Sequence, residues 1–466
     1  MQWARRRPPL VVLGVCVGLA VASLAIPAAL AYDPWAWLVW GREIGRLELD
    51  TVGGPSWKPL PVLVTTLLTP FGSGAPTLWL VVSRTGSLLA IVGVYRLATR
   101  FAGPWAGVTA AAVLILSPDP GPRFVRLFLE GHTALITAAL AVWAIERHLA
   151  GRPTTALLLV TALALDRPEA WPFLLVYAVW LWRNDPDRRA LVGVMLALVP
   201  ILWFGGDWWG AGSPLHGADS ARVVADDAHR FVDSIRRVGE MVVLPAWVAA
   251  LIAVFDAWKR RERALVVIAV AALAWFVLVV VMSAGLGYAA LSRFLLPGAA
   301  VVCVLAGVGA VWSFRVVPRG RARAVVAVVV VAVTLPLVVL RADGIPAQIT
   351  EVADRHRELE QLDVVIAAAG GAASLRGCGG IAVHNGGVAR VAAAWKLDIP
   401  LGDLRRRPGR ARGIEITDRR DVARRAARAG HDVTLLAREG AWRVYAVGCP
   451  ETARPPESFR LPLPYG

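Results

Sequence analysis

The chain has 466 residues, of which 57% are hydrophobic and only 18% charged, a balance that a soluble domain has no interior large enough to bury. Its formal net charge is +16, yet no soluble stretch interleaves basic residues with base-stacking aromatics, so a nucleic-acid surface is excluded. What remains is an α-helical polytopic membrane protein. The abundance of Ala, Val and Arg suits a bacterial genome of high GC content.

Taken in chain order, apolar stretches at about 10–31, 76–95, 105–116, 127–145, 154–165, 171–182, 190–204, 242–258, 264–284, 294–314 and 324–340 predict some eleven spans, several short enough to be tilted or broken. The basic start Arg5-Arg6-Arg7, the apolar run and Ala29-Leu30-Ala31 also resemble a cleaved signal peptide. The run is longer than a usual signal core, so a retained anchor is expected. Arg and Lys then fix the orientation. Arg96 and Arg100, Arg147 and Arg152, Arg183, Arg188 and Arg189, Lys259 to Arg263, and Arg315 to Arg323 crowd one alternate set of loops. By the positive-inside bias that set and the N-terminus are cytoplasmic, and eleven spans put the C-terminus outside.

Two outer loops are long, 32–75 and 205–241, while the inner ones are short, which points to chemistry on the outer face. Within the first, Pro59 to Phe71 is apolar but short and proline-rich, and predicts a helix lying at the surface. Residues 1–340 thus form a transmembrane domain and 341–466 an extracytoplasmic soluble one. The latter reads as α/β: a helix from Ile349 to Ala369, a strand from Gly380 to His384, a helix from Val422 to Ala429, and a hairpin of Asp432 to Ala437 with Trp442 to Val447. Arg405-Arg406-Arg407 reads as a solvated loop. Cys16 and Cys303 lie in spans as apolar packers. Cys378 and Cys449 are in a compartment that permits oxidation, and the sequence leaves a disulfide and two free thiols equally open.

Charges at the membrane edge are the residues to interrogate for function. On the outer side they are Asp33; Asp119, Arg123 and Arg126; Glu130 and His132; Asp166, Arg167 and Glu169; and Arg293. Carboxylates and arginines in a membrane-level cleft suit an anionic lipid phosphate and a proton acceptor. Asp33 follows the first span and precedes Pro34-Trp35-Ala36-Trp37-Leu38-Val39-Trp40, tryptophans expected at headgroup depth, where they would part-shield the carboxylate and strengthen it as a base. Plainer readings stand beside these. Asp33-Pro34 fits a helix-ending turn, Arg293 a snorkelling anchor, Arg123 and Arg126 interfacial anchors, and Arg167 with Glu169 a structural pair between short spans. Glu130 and His132, two apart on a helix, would not share a face, so no metal pair is expected of them. Asp185-Pro186-Asp187 mimics a D-x-D metal motif but sits in a cytoplasmic turn. No phosphate-binding Gly-rich motif and no His/Cys metal spacing is present.

Three segments carry a resemblance. Leu165-Asp166-Arg167-Pro168-Glu169-Ala170-Trp171-Pro172-Phe173, Gly212-Ser213-Pro214-Leu215 and Ser292-Arg293-Phe294-Leu295-Leu296-Pro297 are similar to segments of the GT-C superfamily of polyprenyl-phosphate-dependent glycosyltransferases. An acidic residue after the first span, a long first outer loop and an outer C-terminal domain also resemble that family over about residues 10–340. The resemblance implies an inverting membrane glycosyltransferase, hexosyl or pentosyl, of the mannosyltransferase or arabinosyltransferase kind. Its donor would be a polyprenyl-phosphate-linked sugar in the membrane lipid, and its acceptor a hydroxyl of a glycan, lipid or protein. Asp33 would be the catalytic base, and Arg293, Arg123, Arg126, Asp119, Arg167 and Glu169 would bind substrate. Where the family often pairs a second acidic residue with the first, this chain has Pro34, so no cofactor is firmly implied, although a divalent metal remains compatible. The competing class is a transporter or flippase of lipid-linked sugars, which would show repeated halves and charges near the bilayer midplane. Neither is evident.

Overall fold

The structure is a computed structural model, and it describes residues 9–116, 124–222, 229–289, 291–318, 320–384, 387–405, 412–419 and 421–449. Helix follows helix from the N-terminus: α1 Pro9–Ala22, α2 Tyr32–Arg46, α3 Pro59–Leu68, α4 Ala75–Ala102, α5 Pro104–Leu116, α6 Phe124–Leu129, α7 Ala134–Leu149, α8 Pro153–Asp166, α9 Trp171–Asn184 and α10 Arg189–Ala211. Then come α11 His216–Ala221, α12 Arg230–Glu240, α13 Leu244–Lys259, α14 Arg263–Leu286, α15 Leu296–Val316, α16 Arg321–Ala342 and α17 Gly344–Ala368. The apolar stretches read from the sequence are largely helical, although 10–31 leaves the helix after Ala25 and 127–145 is broken between α6 and α7. By length and composition, Pro59–Ala102, Pro186–Ala211, Arg263–Leu286, Leu296–Val316 and Arg321–Ala368 are each sufficient to cross a membrane, while Pro104–Leu116 and Pro153–Asp166 are apolar but short. α15 is the hub, buried along nearly its whole length against α5, α13, α14 and α4. Gly307 and Gly309 allow this, because a Cβ at either would meet backbone of α5 or α13 within 2.2 Å.

The first loop is structured by its prolines. Pro34 lies in the first turn of α2, where backbone N–H groups have no helical acceptor and a proline costs nothing. Asp33 therefore opens a helix instead of ending one, and its carboxylate sits at the favourable end of the dipole. The Pro59 to Phe71 stretch is helical as expected over α3: Pro59, Pro61, Val62 and Thr65 are buried while Leu67 and the following Phe71 are exposed. It crosses α2 where Gly41 meets Thr65, whose Oγ1 donates to the Trp37 carbonyl at 2.6 Å. Trp35, Trp37 and Trp40 are not exposed to their surroundings. They are at most 7% exposed, packed within the protein: Trp37 edge-on to Trp79, and Trp40 against Trp57.

The C-terminal unit adds α18 Gly371–Leu375, β1 Gly380–Val383, α19 Gly387–Leu397, β2 Leu404–Arg405, β3 Gly413–Thr417, α20 Asp421–Arg428, β4 Val433–Glu439 and β5 Trp442–Val447. The strand order is β2-β1-β3-β5-β4, parallel among the first three and antiparallel at β3–β5 and β5–β4. The sequence reading found the hairpin, α17, α20 and β1 but not α19 or the central strand β3. It also assigned Arg405 to a loop, whereas Leu404–Arg405 pairs with β1 as the edge strand. Trp442 is fully buried and donates to the Glu358 carbonyl at 3.0 Å, a core role. Cys378 and Cys449 are disulfide-bonded, with Cα atoms 5.7 Å apart across 71 residues of chain. In the chain-entropy account a loop of that length is worth about 4 kcal/mol. Cys378→Ser is therefore expected to lower the unfolding midpoint of this unit in a thermal melt, and wild type under reductant should match it.

α2 is held from above by the C-terminal unit. Arg42 donates to the carbonyls of Trp395 and Ile399 at 3.1 and 3.0 Å and pairs with Asp398 at 3.1 Å, and Arg46 pairs with Asp398 at 2.8 Å. The helix that carries Asp33 is thus gripped by α3 on one side and α19 on the other.

Candidate active site

Asp33 is 7% exposed, and its Oδ2 faces two cations: Arg293 Nη2 at 3.2 Å and Lys58 Nζ at 3.7 Å. Each partner is positioned by its own local structure. Lys58 is extended immediately before Pro59, as a residue preceding proline must be, and its ammonium lies 5.3 Å from the centre of the Trp37 ring. Arg293 lies in the short turn Ser292–Phe294 before α15, which Trp275 of α14 pins by donating to the Phe294 carbonyl at 2.9 Å. Arg167 is likewise extended before Pro168, with its guanidinium 4.4 Å from the centre of the Phe294 ring, so the segment between α8 and α9 reaches the same place.

Burial pushes the Asp33 carboxyl upward, but Lys58, Arg293, His132 and Arg167 outweigh it and hold the group below the ordinary carboxylate range. Burial wins on the other side of the pair. Desolvation, with Arg167 adding repulsion against the help of Asp33 and Asp166, brings the Lys58 ammonium down to about 8. The site therefore holds an ionised carboxylate among cations, one of which gives up its proton near pH 8.

Of the residues singled out from the sequence, Asp33, Arg293 and Arg167 come together here. Arg126 stands nearby but is engaged, pairing with Glu130 at 3.0 Å and Glu351 at 3.1 Å. The expected Arg167–Glu169 pair is absent among the described residues: Arg167 approaches Asp166 at 3.8 Å, and Glu169, 6% exposed in the turn before α9, has an Oε2 without a described partner. The extended backbone before Pro168 separates the two side chains. Asp119 and Arg123 lie outside the described residues. Glu130 and His132 do meet, contrary to the helical expectation. The chain breaks between α6 and α7 with Gly131 at φ +72°, and His132 Nε2 lies 3.0 Å from Glu130 Oε2.

Two participants, Lys58 and Arg355, and the contact between Glu130 and His132 escaped the sequence reading. Lys58 had a usable mark: it is one of three lysines among 50 basic residues, so arginine is this chain's default and a lysine in the first long loop is an exception. The Glu130–His132 pair needed the Gly131 turn to be seen. Arg355, on α17 of the C-terminal unit, reaches Glu130 at 2.6 Å, a contact across 225 residues that no local pattern announces.

Beside Asp33 opens a cleft of about 420 Å³ between the helical bundle and the C-terminal unit, lined by Tyr32, Arg126, His132, Arg293, Arg355 and the start of α19, among others. Its walls are mixed polar and apolar. Among the described residues no three His, Cys, Asp or Glu side chains gather as a metal-binding set, and the groups that face Asp33 most closely are cations.

No protein-family model matches the chain, and no curated protein does. Solved structures do. ArnT from Cupriavidus metallidurans in the apo state superposes with a TM-score of 0.58 at 14% identity, over 96% of this chain and 98% of that one. The same protein bound to undecaprenyl phosphate gives 0.58 at 15% identity, over 96% and 99%. An oligosaccharyltransferase from Archaeoglobus fulgidus, with a TM-score of 0.41 over 73% of this chain, is too distant to argue from. At these identities the likeness is one of fold, and it extends from α1 through the C-terminal unit. The chain shares the fold of those two structures and carries a small mixed sheet at its end.

Proposed function

We propose that this protein is an inverting glycosyltransferase that moves a sugar from a polyprenyl-phosphate donor to an acceptor hydroxyl at the outer face of the membrane. One observation carries the reading: a buried carboxylate, Asp33, faces Lys58 and Arg293 from separate segments, with Arg167 and the buried Asp166 beside them, at one end of the apolar helices. Such a set meets two needs of glycosyl transfer from a lipid phosphate. Cations stabilise the phosphate as it takes the electron pair of the breaking C1–O bond. The carboxylate removes the proton of the attacking hydroxyl on the opposite face of the sugar. The fold-level likeness to a protein solved with undecaprenyl phosphate supports a lipid phosphate as the ligand. The positive bias of the alternate loops and the disulfide of the C-terminal unit support an outward site in an oxidising compartment.

Asp33 and the donor compete for the same cations. Lys58 and Arg293 neutralise Asp33 through their direct contacts with its carboxylate. When the donor phosphate arrives they turn to it, and the carboxylate is left free to act as a base. Arg167 adds positive charge behind them. Arg126, on the cleft wall, belongs to the acceptor side of this reading.

Native mass spectrometry of the detergent-solubilised protein tests the ligand assignment. A polyprenyl phosphate should bind, the corresponding polyprenol should not, and Lys58→Ala should weaken the adduct. Equal binding of phosphate and alcohol would contradict the role given to the cations.

A further inference from the structure

The Glu130–His132 pair has the construction of a proton-handling dyad. Glu130 is buried, and its Oε1 accepts from Arg126 Nε at 3.0 Å and from Arg355 Nη1 at 2.6 Å, which keeps it charged. Its Oε2 lies 3.0 Å from Nε2 of His132, so the neutral imidazole carries its hydrogen on Nε2 and offers the lone pair of Nδ1. His132 is 5% exposed, lines the cleft, and has no described partner at Nδ1. The turn that carries it is tied to the start of α2, where Ala31 N–H donates to the Glu130 carbonyl at 3.0 Å, and it shares the cleft with Arg293, which pairs with Asp33 at 3.2 Å. Asp33 and His132 each feel the other's charge.

Resting on the reaction proposed above, we propose that His132 is a catalytic proton relay, receiving at Nδ1 the proton that Asp33 removes from the acceptor hydroxyl and passing it to solvent in the cleft. The balance closes. The acceptor oxygen bonds to C1, the C1–O(phosphate) bond breaks with its electron pair on the phosphate, and the hydroxyl proton goes to Asp33. Asp33 then gives it to His132, and the imidazolium, held at Nε2–H by Glu130, loses it to water. Without a second station Asp33 would stay protonated beside cations occupied by the departing phosphate. The charged groups facing His132 are Glu130 on its own turn, Asp33 on α2, Arg293 before α15, Arg126 on α6, and Arg355 and Glu358 on α17. The arginines oppose a lasting imidazolium, which suits a relay better than a store. Because Arg355 belongs to the C-terminal unit, docking of that unit completes the dyad.

The test measures kcat at saturating donor from pH 5.5 to 8.5 for wild type, His132→Gln and His132→Gly, with added imidazole. The donor is whichever polyprenyl-phosphate hexose or pentose wild type uses. Loss of about 10²-fold in kcat is expected in both variants, with the donor dissociation constant changed less than about threefold. Imidazole should restore His132→Gly in proportion to its free-base concentration. Variants within about threefold of wild type would overturn the relay, as would a loss that imidazole leaves untouched and that shows the wild-type pH profile. A wild type that transfers no sugar would overturn the reaction itself, and an active wild type with indifferent His132 variants only the relay.

Discussion

Asp33→Asn is expected to lower kcat by about 10²–10⁴-fold, the range that loss of a general base commands. The same substitution should tighten the binding of the polyprenyl-phosphate donor. Asn keeps the shape and the start of α2 but removes the negative charge that now engages Arg293 and Lys58 at 3.2 and 3.7 Å. Both cations then meet the donor phosphate without first leaving a partner. Falling kcat with rising affinity is a combination that misfolding does not produce. Steady-state kinetics and donor binding by native mass spectrometry on one preparation would show it. Unchanged kcat would remove Asp33 from the chemistry.

Lys58→Ala should act in the opposite sense on binding. Truncating one member of a buried charged contact costs about 2–5 kcal/mol, so donor affinity should fall at least about 30-fold. The buried ammonium also dictates a pH dependence. With its pKa brought down to about 8 by desolvation, Lys58 is charged below that pH and loses its charge as pH rises through it. Donor kcat/KM, which reports groups of the free enzyme, should therefore fall on an alkaline limb near pH 8. Lys58→Arg, whose guanidinium stays charged, should abolish that limb even if its geometry lowers the plateau. An unchanged alkaline limb in Lys58→Arg would assign the titration to another group.

Much of the frame was legible in the sequence because hydrophobic periodicity and proline placement are local. Most of each predicted span is helical, and the α17 helix and the terminal hairpin lie within a few residues of their expected places. Asp33, Arg167 and Arg293 were legible as charges at apolar boundaries, which water and membrane make expensive anywhere else. What failed was non-local. The Arg167–Glu169 pairing ignored the extended backbone before Pro168. The separation of Glu130 from His132 assumed a helix that Gly131 interrupts. Nothing in the spacing of Trp35, Trp37 and Trp40 reveals that α3, α4 and the C-terminal unit close over them. The central strand β3 was missed between an arginine-rich stretch and α20, where a five-residue run carries little pattern. Arg355 became part of the site only through the docking of a unit more than 200 residues away in the chain.

The central claim is that a glycosidic bond is made at the expense of a lipid phosphate bond. It is tested most directly by reconstituting the protein in vesicles with polyprenyl-phosphate sugars labelled in the sugar, adding a cell-envelope extract as acceptor outside, and following label and lipid together. Label should move into a product that withstands the mild acid that cleaves the sugar phosphate, with free polyprenyl phosphate released in equal amount, and neither should occur with Asp33→Asn. Label that crosses the bilayer while still attached to its lipid phosphate, with no new product, would contradict the account and identify a carrier of lipid-linked sugars instead.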